Sequence, residues 1–346
     1  MKRKRIALVV DMENWAFDIE AKILRQSLEK YYKIDIFVSH NYEDNLFRIL
    51  EDVKDYDMIH FFWRKLLLQL DSDEFQKELE KNHYDYEEYI DSIKGKISTG
   101  IYDHLFTDDE NRKVFQNIFT KYCKRYYTCS KKIEEIYKKI EEYPAPWGTI
   151  HDTYDNVLYD GGDRTRFDKK DEEALTIGWV GNSNWNLKYK DFKGFHTILN
   201  PVIDSLVEEG YKIKKHYADR IIKFRTNEEM PSYYQEIDLC IITSTEEGTP
   251  RPVIEAMASG VPILSTDVGI VSEVFGPKQK KYILGERTIE NDDTIKENLK
   301  NKIIEIYNNR EILKELSKEN YEYSASNGID ALKETYKKYF DEFLSE

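Results

Sequence analysis

Five short apolar runs constrain this chain more than any other feature. They are Ile6–Val10 (IALVV), Ile34–Ser39 (IDIFVS), Met58–Trp63 (MIHFFW), Leu175–Val180 (LTIGWV) and Asp238–Thr243 (DLCIIT). Ile6–Val10 is too short for a helix and apolar at every position, as a parallel strand buried on both faces requires, and the other four read as strands as well. Between them the apolar residues return with a helical period. In the segment Trp15–Tyr32, for example, Ile19, Ile23, Leu24, Leu28 and Tyr31 share one face. Strands alternating with amphipathic helices predict doubly wound α/β units with parallel sheets. Tyr126–Cys129 is a weaker strand, and Ser130 is an N-cap for a helix over Lys131–Glu142. Residues 70–97 are charge-rich and helical in pattern, with no strand signal.

A chain of 346 residues predicts two or three domains. The breakers divide it: no proline precedes Pro144, then Pro144-Ala145-Pro146-Trp147-Gly148 and Asp160-Gly161-Gly162-Asp163 follow closely. We expect a first Rossmann-like domain over 1–168, a second over 169–325, and a last helix in 326–346 that packs back toward the first. In the second half, Lys193-Gly194 opens a helix over Phe195–Glu208. Further helices are expected over Pro252–Ser259, Asp293–Asn308 and Arg310–Glu319, with a short strand at Pro262–Ser265.

Charge narrows the partners. The formal net charge is -14, which argues against general binding to nucleic acid or anionic lipid. The run Lys2-Arg3-Lys4-Arg5 reads as solvated terminal charge. The many tyrosines read as half-buried amphipathic fillers. Cys123, Cys129 and Cys240 are odd in number and lack CxxC spacing, which fits reduced thiols and a cytoplasmic location. No segment approaches the ~20 apolar residues of a membrane span.

The chemistry concentrates in Thr245-Glu246-Glu247-Gly248-Thr249-Pro250-Arg251-Pro252-Val253-Ile254-Glu255, which leads through Ala256-Met257-Ala258-Ser259 to Gly260-Val261-Pro262. This stretch follows a buried strand and so sits at a strand's carboxyl end, where open α/β sheets bind ligands. Gly248 lets a ligand approach the backbone. The following helix start offers N–H groups and a positive dipole end to phosphate. Glu247 and Glu255 frame that turn, and a carboxylate accepts two hydroxyl hydrogen bonds, as the vicinal diol of a sugar or ribose would supply. From spacing alone, a solvated loop glutamate and a helix glutamate paired to a nearby base are the more ordinary reading, because two glutamates so spaced are common.

The ordered series Glu229-Met230-Pro231-Ser232-Tyr233-Tyr234, Asp238-Leu239-Cys240, Glu247-Gly248-Thr249-Pro250 and Glu255-Ala256-Met257-Ala258-Ser259-Gly260-Val261-Pro262 resembles family-4 (group 1) retaining glycosyltransferases of the GT-B fold. Val268-Gly269-Ile270-Val271-Ser272-Glu273-Val274 continues the resemblance. More weakly, Asp160-Gly161-Gly162-Asp163 with Phe167, and Gly178 through Lys193-Gly194, resemble other segments of that family. The fold implied is two Rossmann-like doubly wound domains facing a central cleft. The activity implied is transfer of a sugar from a nucleoside-diphosphate sugar to an acceptor hydroxyl with retention, in synthesis of a cell-surface polysaccharide or glycoconjugate.

The resemblance also implies roles for single residues. Glu255 would bind the ribose and Glu247 the donor-sugar hydroxyls. Gly248, Thr249 and Pro250 would face the sugar and diphosphate, as would Gly181 and Asn182. Lys193 would neutralise the departing diphosphate. The family carries arginine where Asn182 stands, so a second cation is missing, and Arg251, then Lys188 or Lys190, are the alternatives. His104 resembles a histidine that contacts the donor sugar, although the order here is Asp103-His104. Asp11, Glu13, Trp15 and His60 would line the acceptor site.

No Asp-x-Asp pair stands at a strand end in a metal-binding context and no His/Cys cluster has ligand spacing, so neither metal nor cofactor is expected. The expected partners are a nucleotide-sugar donor and a carbohydrate or glycolipid acceptor. Peripheral contact with the inner face of a membrane is compatible with both. Two rivals stay open: a non-catalytic nucleotide-sugar-binding module, and a sugar-nucleotide epimerase on the same fold.

Overall fold

The computed structural model describes residues 3–103, 105–159, 167 and 173–345. It divides into two compact units, Met1–Thr153 with Leu332–Glu346, and Tyr154–Ala331. The change of unit falls at Thr153/Tyr154, ahead of the expected 168/169. Tyr154, Tyr159 and Phe167 account for the difference, because all three are buried in the apolar cores of the second unit.

The first unit runs β1 (Arg5–Val10), α1 (Ala16–Leu28), β2 (Lys33–Val38), α2 (Leu46–Val53), β3 (Met58–Phe61), α3 (Asp73–Lys81), α4 (Tyr86–Ile93), β4 (Ile97–Ile101), α5 (Asp109–Asn117), β5 (Arg125–Thr128) and α6 (Lys131–Lys138). The five strands are all parallel, in the order β2-β1-β3-β4-β5. Ser130 caps α6 by accepting from the Ile133 N–H at 3.1 Å. β4 was not expected. Its residues ISTGI include three small polar or flexible ones, yet all five are buried. The strand is possible because its hydroxyls have partners inside: Thr99 Oγ1 donates to Phe61 O at 2.7 Å, and Ser98 Oγ pairs with His60 and Tyr339.

The second unit runs β6 (Leu175–Gly181), a turn of π-helix at Phe195–Leu199 continuing into α7 (Asn200–Glu208), β7 (Ile213–Asp219), α8 (Met230–Gln235), β8 (Leu239–Ile242), α9 (Arg251–Ala258), β9 (Ile263–Ser265), α10 (Val271–Val274), α11 (Asp292–Asn308) and α12 (Glu311–Ser324). Its parallel strands are ordered β7-β6-β8-β9. β7 (IKKHYAD) was also unexpected. It is an edge strand, and its exposed lysines hide the apolar signal while protecting the edge from pairing.

The last helix, α13 (Ile329–Ser345), is tied to the first unit by polar groups. Tyr336 OH donates to Glu20 Oε1 at 3.0 Å, Trp147 Nε1 donates to Glu342 at 2.7 Å, and Tyr339 OH meets Ser98 Oγ at 2.5 Å. Glu20 is buried and also accepts the Thr153 N–H. These tyrosines are fully buried rather than half-buried. Their hydroxyls find partners in the core, which removes the cost of hiding them.

Candidate functional site

In the second unit the chain leaves β6 toward β7 on one side and returns to β8 on the other. The loops after β6 and β8 therefore part at a topological switch point, where open α/β sheets place their ligands. Lys193 comes from the first loop and Glu247 from the second. Their side chains form an ion pair, and Ser244 Oγ donates to the same Glu247 oxygen at 2.9 Å. Lys193 Nζ also lies 5.4 Å from the centre of the Trp185 ring.

The backbone under Lys193 is held tightly. Asp191 accepts N–H bonds from Phe195, His196 and Thr197, capping the helix that follows. Gly194 has φ +65°, and a Cβ there would meet Thr243 O at 2.5 Å and Arg287 at 2.8 Å. Arg287 is buried, donates to Asp191 O and Thr243 O, and forms a two-point ion pair with Asp292. It thus clamps the loop after β6 to the end of β8.

The Glu247-Gly248 turn is backed by Gly269 (φ +54°), whose missing Cβ would lie 1.9 Å from Gly248 O. The Ile270 N–H donates to that same carbonyl at 3.1 Å. α9 then begins at Arg251, and its N-cap residue Pro250 has no side-chain acceptor to offer. Thr249 Oγ1 and Glu246 Oε2 are buried beside this turn with no hydrogen-bond partner among the described residues. Such atoms are rare unless a ligand or water takes them. Glu255, one and a half turns into the region, is buried. Arg251 Nε donates to one oxygen at 3.2 Å and Tyr234 OH to the other at 3.1 Å. Burial pushes its carboxyl pKa up, and Arg251, Tyr234 and Tyr159 oppose that rise.

The structure thus brings together Lys193, Glu247, Gly248, Thr249 and Pro250, with Arg251 and Glu255 on the helix behind them. Gly181 and Asn182 begin the neighbouring loop, where Asn182 Oδ1 accepts the Asn184 N–H at 3.0 Å and closes a local turn. Of the candidate second cations, Arg251 is engaged with Glu255, Lys188 is exposed beside Tyr189, and Lys190 lies over Phe192. Sequence reasoning missed Arg287, Asp191, Ser244, Tyr234 and the backing role of Gly269. Only Asp191 carried a local signal, as a carboxylate just before a helix.

The first unit has a switch point of its own, because β2 and β3 flank β1. Asp11, Glu13 and Trp15 follow β1 directly. Asp11 Oδ1 is buried without a hydrogen-bond partner among the described residues, and burial raises its carboxyl pKa. Glu13 is exposed, and Trp15 occupies the N-cap position of α1. His60 is a correction: it lies inside the core rather than on a ligand surface. Its Nδ1 is 3.0 Å from Ser98 Oγ, its Nε2 is 3.3 Å from Tyr127 OH, and burial drives its pKa down to about 3. His104 and the Asp160–Asp163 segment lie outside the described residues. Among the described residues no group of three or more His, Cys, Asp or Glu could hold a metal ion, and no helix is long and apolar enough to cross a membrane.

Residues 211–323 match the family model described as glycosyl transferases group 1. That span includes α9 with Glu247 and Glu255, and Gly269. Curated relatives cover parts of the chain. The lipopolysaccharide core biosynthesis mannosyltransferase LpsB of Rhizobium meliloti is 39% identical over 61 residues, 18% of this chain and 17% of the relative. The putative teichuronic acid biosynthesis glycosyltransferase TuaC of Bacillus subtilis is 45% identical over 57 residues, 16% of this chain and 15% of the relative. The matched stretches thus span less than a fifth of these relatives' length. Solved structures match across nearly the whole chain. Sucrose-phosphate synthase of Thermosynechococcus elongatus aligns with TM-score 0.69 at 15% identity, covering 99% of this chain and 100% of that one. HepE of Anabaena in complex with UDP-glucose aligns with TM-score 0.65 at 12% identity, covering 98% and 99%. At these identities the likeness concerns the fold: two Rossmann-like parallel-sheet domains of the GT-B class.

Proposed function

We propose that this chain is a retaining, metal-independent glycosyltransferase that moves a sugar from a nucleoside-diphosphate sugar to an acceptor hydroxyl. The observation that carries the reading is the meeting of Lys193 and Glu247 at the switch point of the second sheet, in the loop that leads into α9, which carries Glu255. A cation beside the open start of a helix suits a diphosphate. The carboxylates on either side suit hydroxyls, with Glu255 taking the ribose and Glu247 the sugar.

In the proposed reaction the bond from the anomeric carbon to the phosphate oxygen breaks. The acceptor oxygen bonds to that carbon on the same face, and its proton passes to the departing diphosphate. Lys193 and the α9 end stabilise the charge that builds on the leaving group. Thr249 Oγ1, buried without a hydrogen-bond partner among the described residues, would bond a donor oxygen. Asp11 and the loop after β1 are the acceptor-binding candidates. The similar mannosyltransferase and teichuronic acid proteins favour a polysaccharide or glycolipid acceptor, and the acidic chain disfavours nucleic acid. An odd number of cysteines without CxxC spacing fits a cytoplasmic setting.

A thermal-shift panel of UDP-, GDP-, CDP-, TDP- and ADP-sugars tests donor binding, since a ligand that binds the folded state raises its melting temperature. Product analysis with the donor so identified then decides among the readings. An acceptor adduct with released nucleoside diphosphate supports transfer. An inverted nucleotide-sugar without adduct indicates an epimerase, and binding with no turnover a binding module.

A further inference from the structure

Two neighbouring loops of the second unit carry apolar side chains into solvent. After β7, Ile221, Ile222 and Phe224 are 56%, 76% and 56% exposed. After β6, Tyr189 is 74% and Leu187 39% exposed. Protruding side chains of this size are unusual on a soluble surface unless something covers them. The loops are pinned together from beneath by Asp219, which is fully buried. Its Oδ1 accepts the N–H of Ser183 from one loop at 3.2 Å and of Ile221 from the other at 3.1 Å. The Arg220 N–H donates to Gly181 O at 2.8 Å, adding a second tie. The two loops are therefore joined at their bases, at the same end of the sheet.

Charge identifies what covers the apolar tips. Residues 182–190 and 220–224 hold Lys188, Lys190, Arg220 and Lys223, and no Asp or Glu, while Arg225 is ion-paired with Glu236 at 3.1 Å. In a chain of net charge -14 this is a local inversion of sign. Lys188 lies 4.7 Å from the Tyr189 ring centre and Arg220 5.6 Å from that of Phe224, so bases and apolar groups are interleaved. We propose that this surface docks on an anionic lipid bilayer, with Ile221, Ile222 and Phe224 entering the headgroup boundary and the bases meeting lipid phosphates. Apolar tips flanked by bases are how peripheral proteins combine burial with attraction to anionic lipid. A nucleic acid would leave the aliphatic tips without a role.

The test is co-sedimentation of the full chain with vesicles of phosphatidylglycerol mixed with phosphatidylcholine, and of phosphatidylcholine alone. The surface predicts binding to the first, weakened by salt, and little to the second. A basic residue near such a surface is worth a factor of about five in affinity, so Lys188→Gln with Lys223→Gln should weaken binding roughly 25-fold. Ile222→Ser with Phe224→Ser should abolish it while the melting temperature stays unchanged, because both side chains are exposed. The proposal is overturned if phosphatidylglycerol vesicles do not bind the protein. It is equally overturned if they bind these variants as well as the parent. Sedimentation showing a dimer that the Ile222/Phe224 variant abolishes would assign the surface to a second copy of the chain instead. All these readouts are independent of glycosyl transfer, so they stand or fall apart from the proposed activity.

Discussion

Gly269→Ala is a single-methyl perturbation outside the carboxylates and lysine, and its effect follows from the geometry. The new Cβ would lie 1.9 Å from Gly248 O, 2.7 Å from Gly248 C and 2.9 Å from Glu247 O, whereas ordinary contact begins at 3.4 Å. All three atoms are backbone, so no side chain can turn aside. The conformation at φ +54° adds a penalty of ~1 kcal/mol for any residue with a Cβ. Overpacking against a fixed wall adds ~2 kcal/mol. The sum, about 3 kcal/mol, should lower the melting temperature of the second unit by roughly 6–12 °C. The alternative to instability is retreat of the Glu247-Gly248 turn by about an ångström, which costs a positioned site up to ~100-fold in rate. Thermal melts and donor turnover of the same preparation measure both. Gly95→Ala is the control, since nothing lies within 4 Å of its added Cβ. A Gly269→Ala protein with parental melting temperature and turnover would refute the claim that this glycine sets the turn.

Arg287→Ala should lower stability by ~3 kcal/mol and reduce turnover, because Asp292 loses its partner and two carbonyls lose their donor. Lysine at 287 should recover only part of either, since it cannot reproduce the fork, and full recovery in both assays would remove Arg287 from the account. His60→Gln addresses pH. The pKa of His60 falls from 6.5 to about 3 on folding, so the unfolded chain binds the proton first as pH drops. The stability held by the neutral ring is complete above pH 6.5 and is lost as pH falls toward 3. Between pH 6.5 and 4.5 the parent should lose about 2–3 kcal/mol more than the variant in denaturant titrations, and equal slopes would show that His60 is solvated.

The legible parts of the fold share a physical reason. β1, β3, β6 and β8 are buried on both faces, so their sequences are continuous apolar runs. β4 and β7 escaped because their stability comes from elsewhere. Ser98 and Thr99 are satisfied by partners distant in sequence, and the lysines of β7 belong to a sheet edge. Glu247, Glu255 and Lys193 were legible because the turn, the helix start and the carboxylates form a local series. Arg287 was not, since its role depends on Asp191 and Thr243, which only the fold brings near. His60 misled because the resemblance alone put it at the acceptor site, whereas its ring stacks on Tyr127 at 5.4 Å inside the core.

The donor site is the central claim, and calorimetric titration tests it most directly, using the nucleotide-sugar that gives the largest thermal shift, with the parent, Lys193→Ala and Glu255→Ala. Removing a donor aimed at developing charge costs ~100–1,000-fold in rate. Lys193→Ala should lose turnover by that factor while still binding the nucleoside, and Glu255→Ala should lose nucleotide binding itself, as the donor-site assignment requires. Parental binding and turnover in both variants would contradict it.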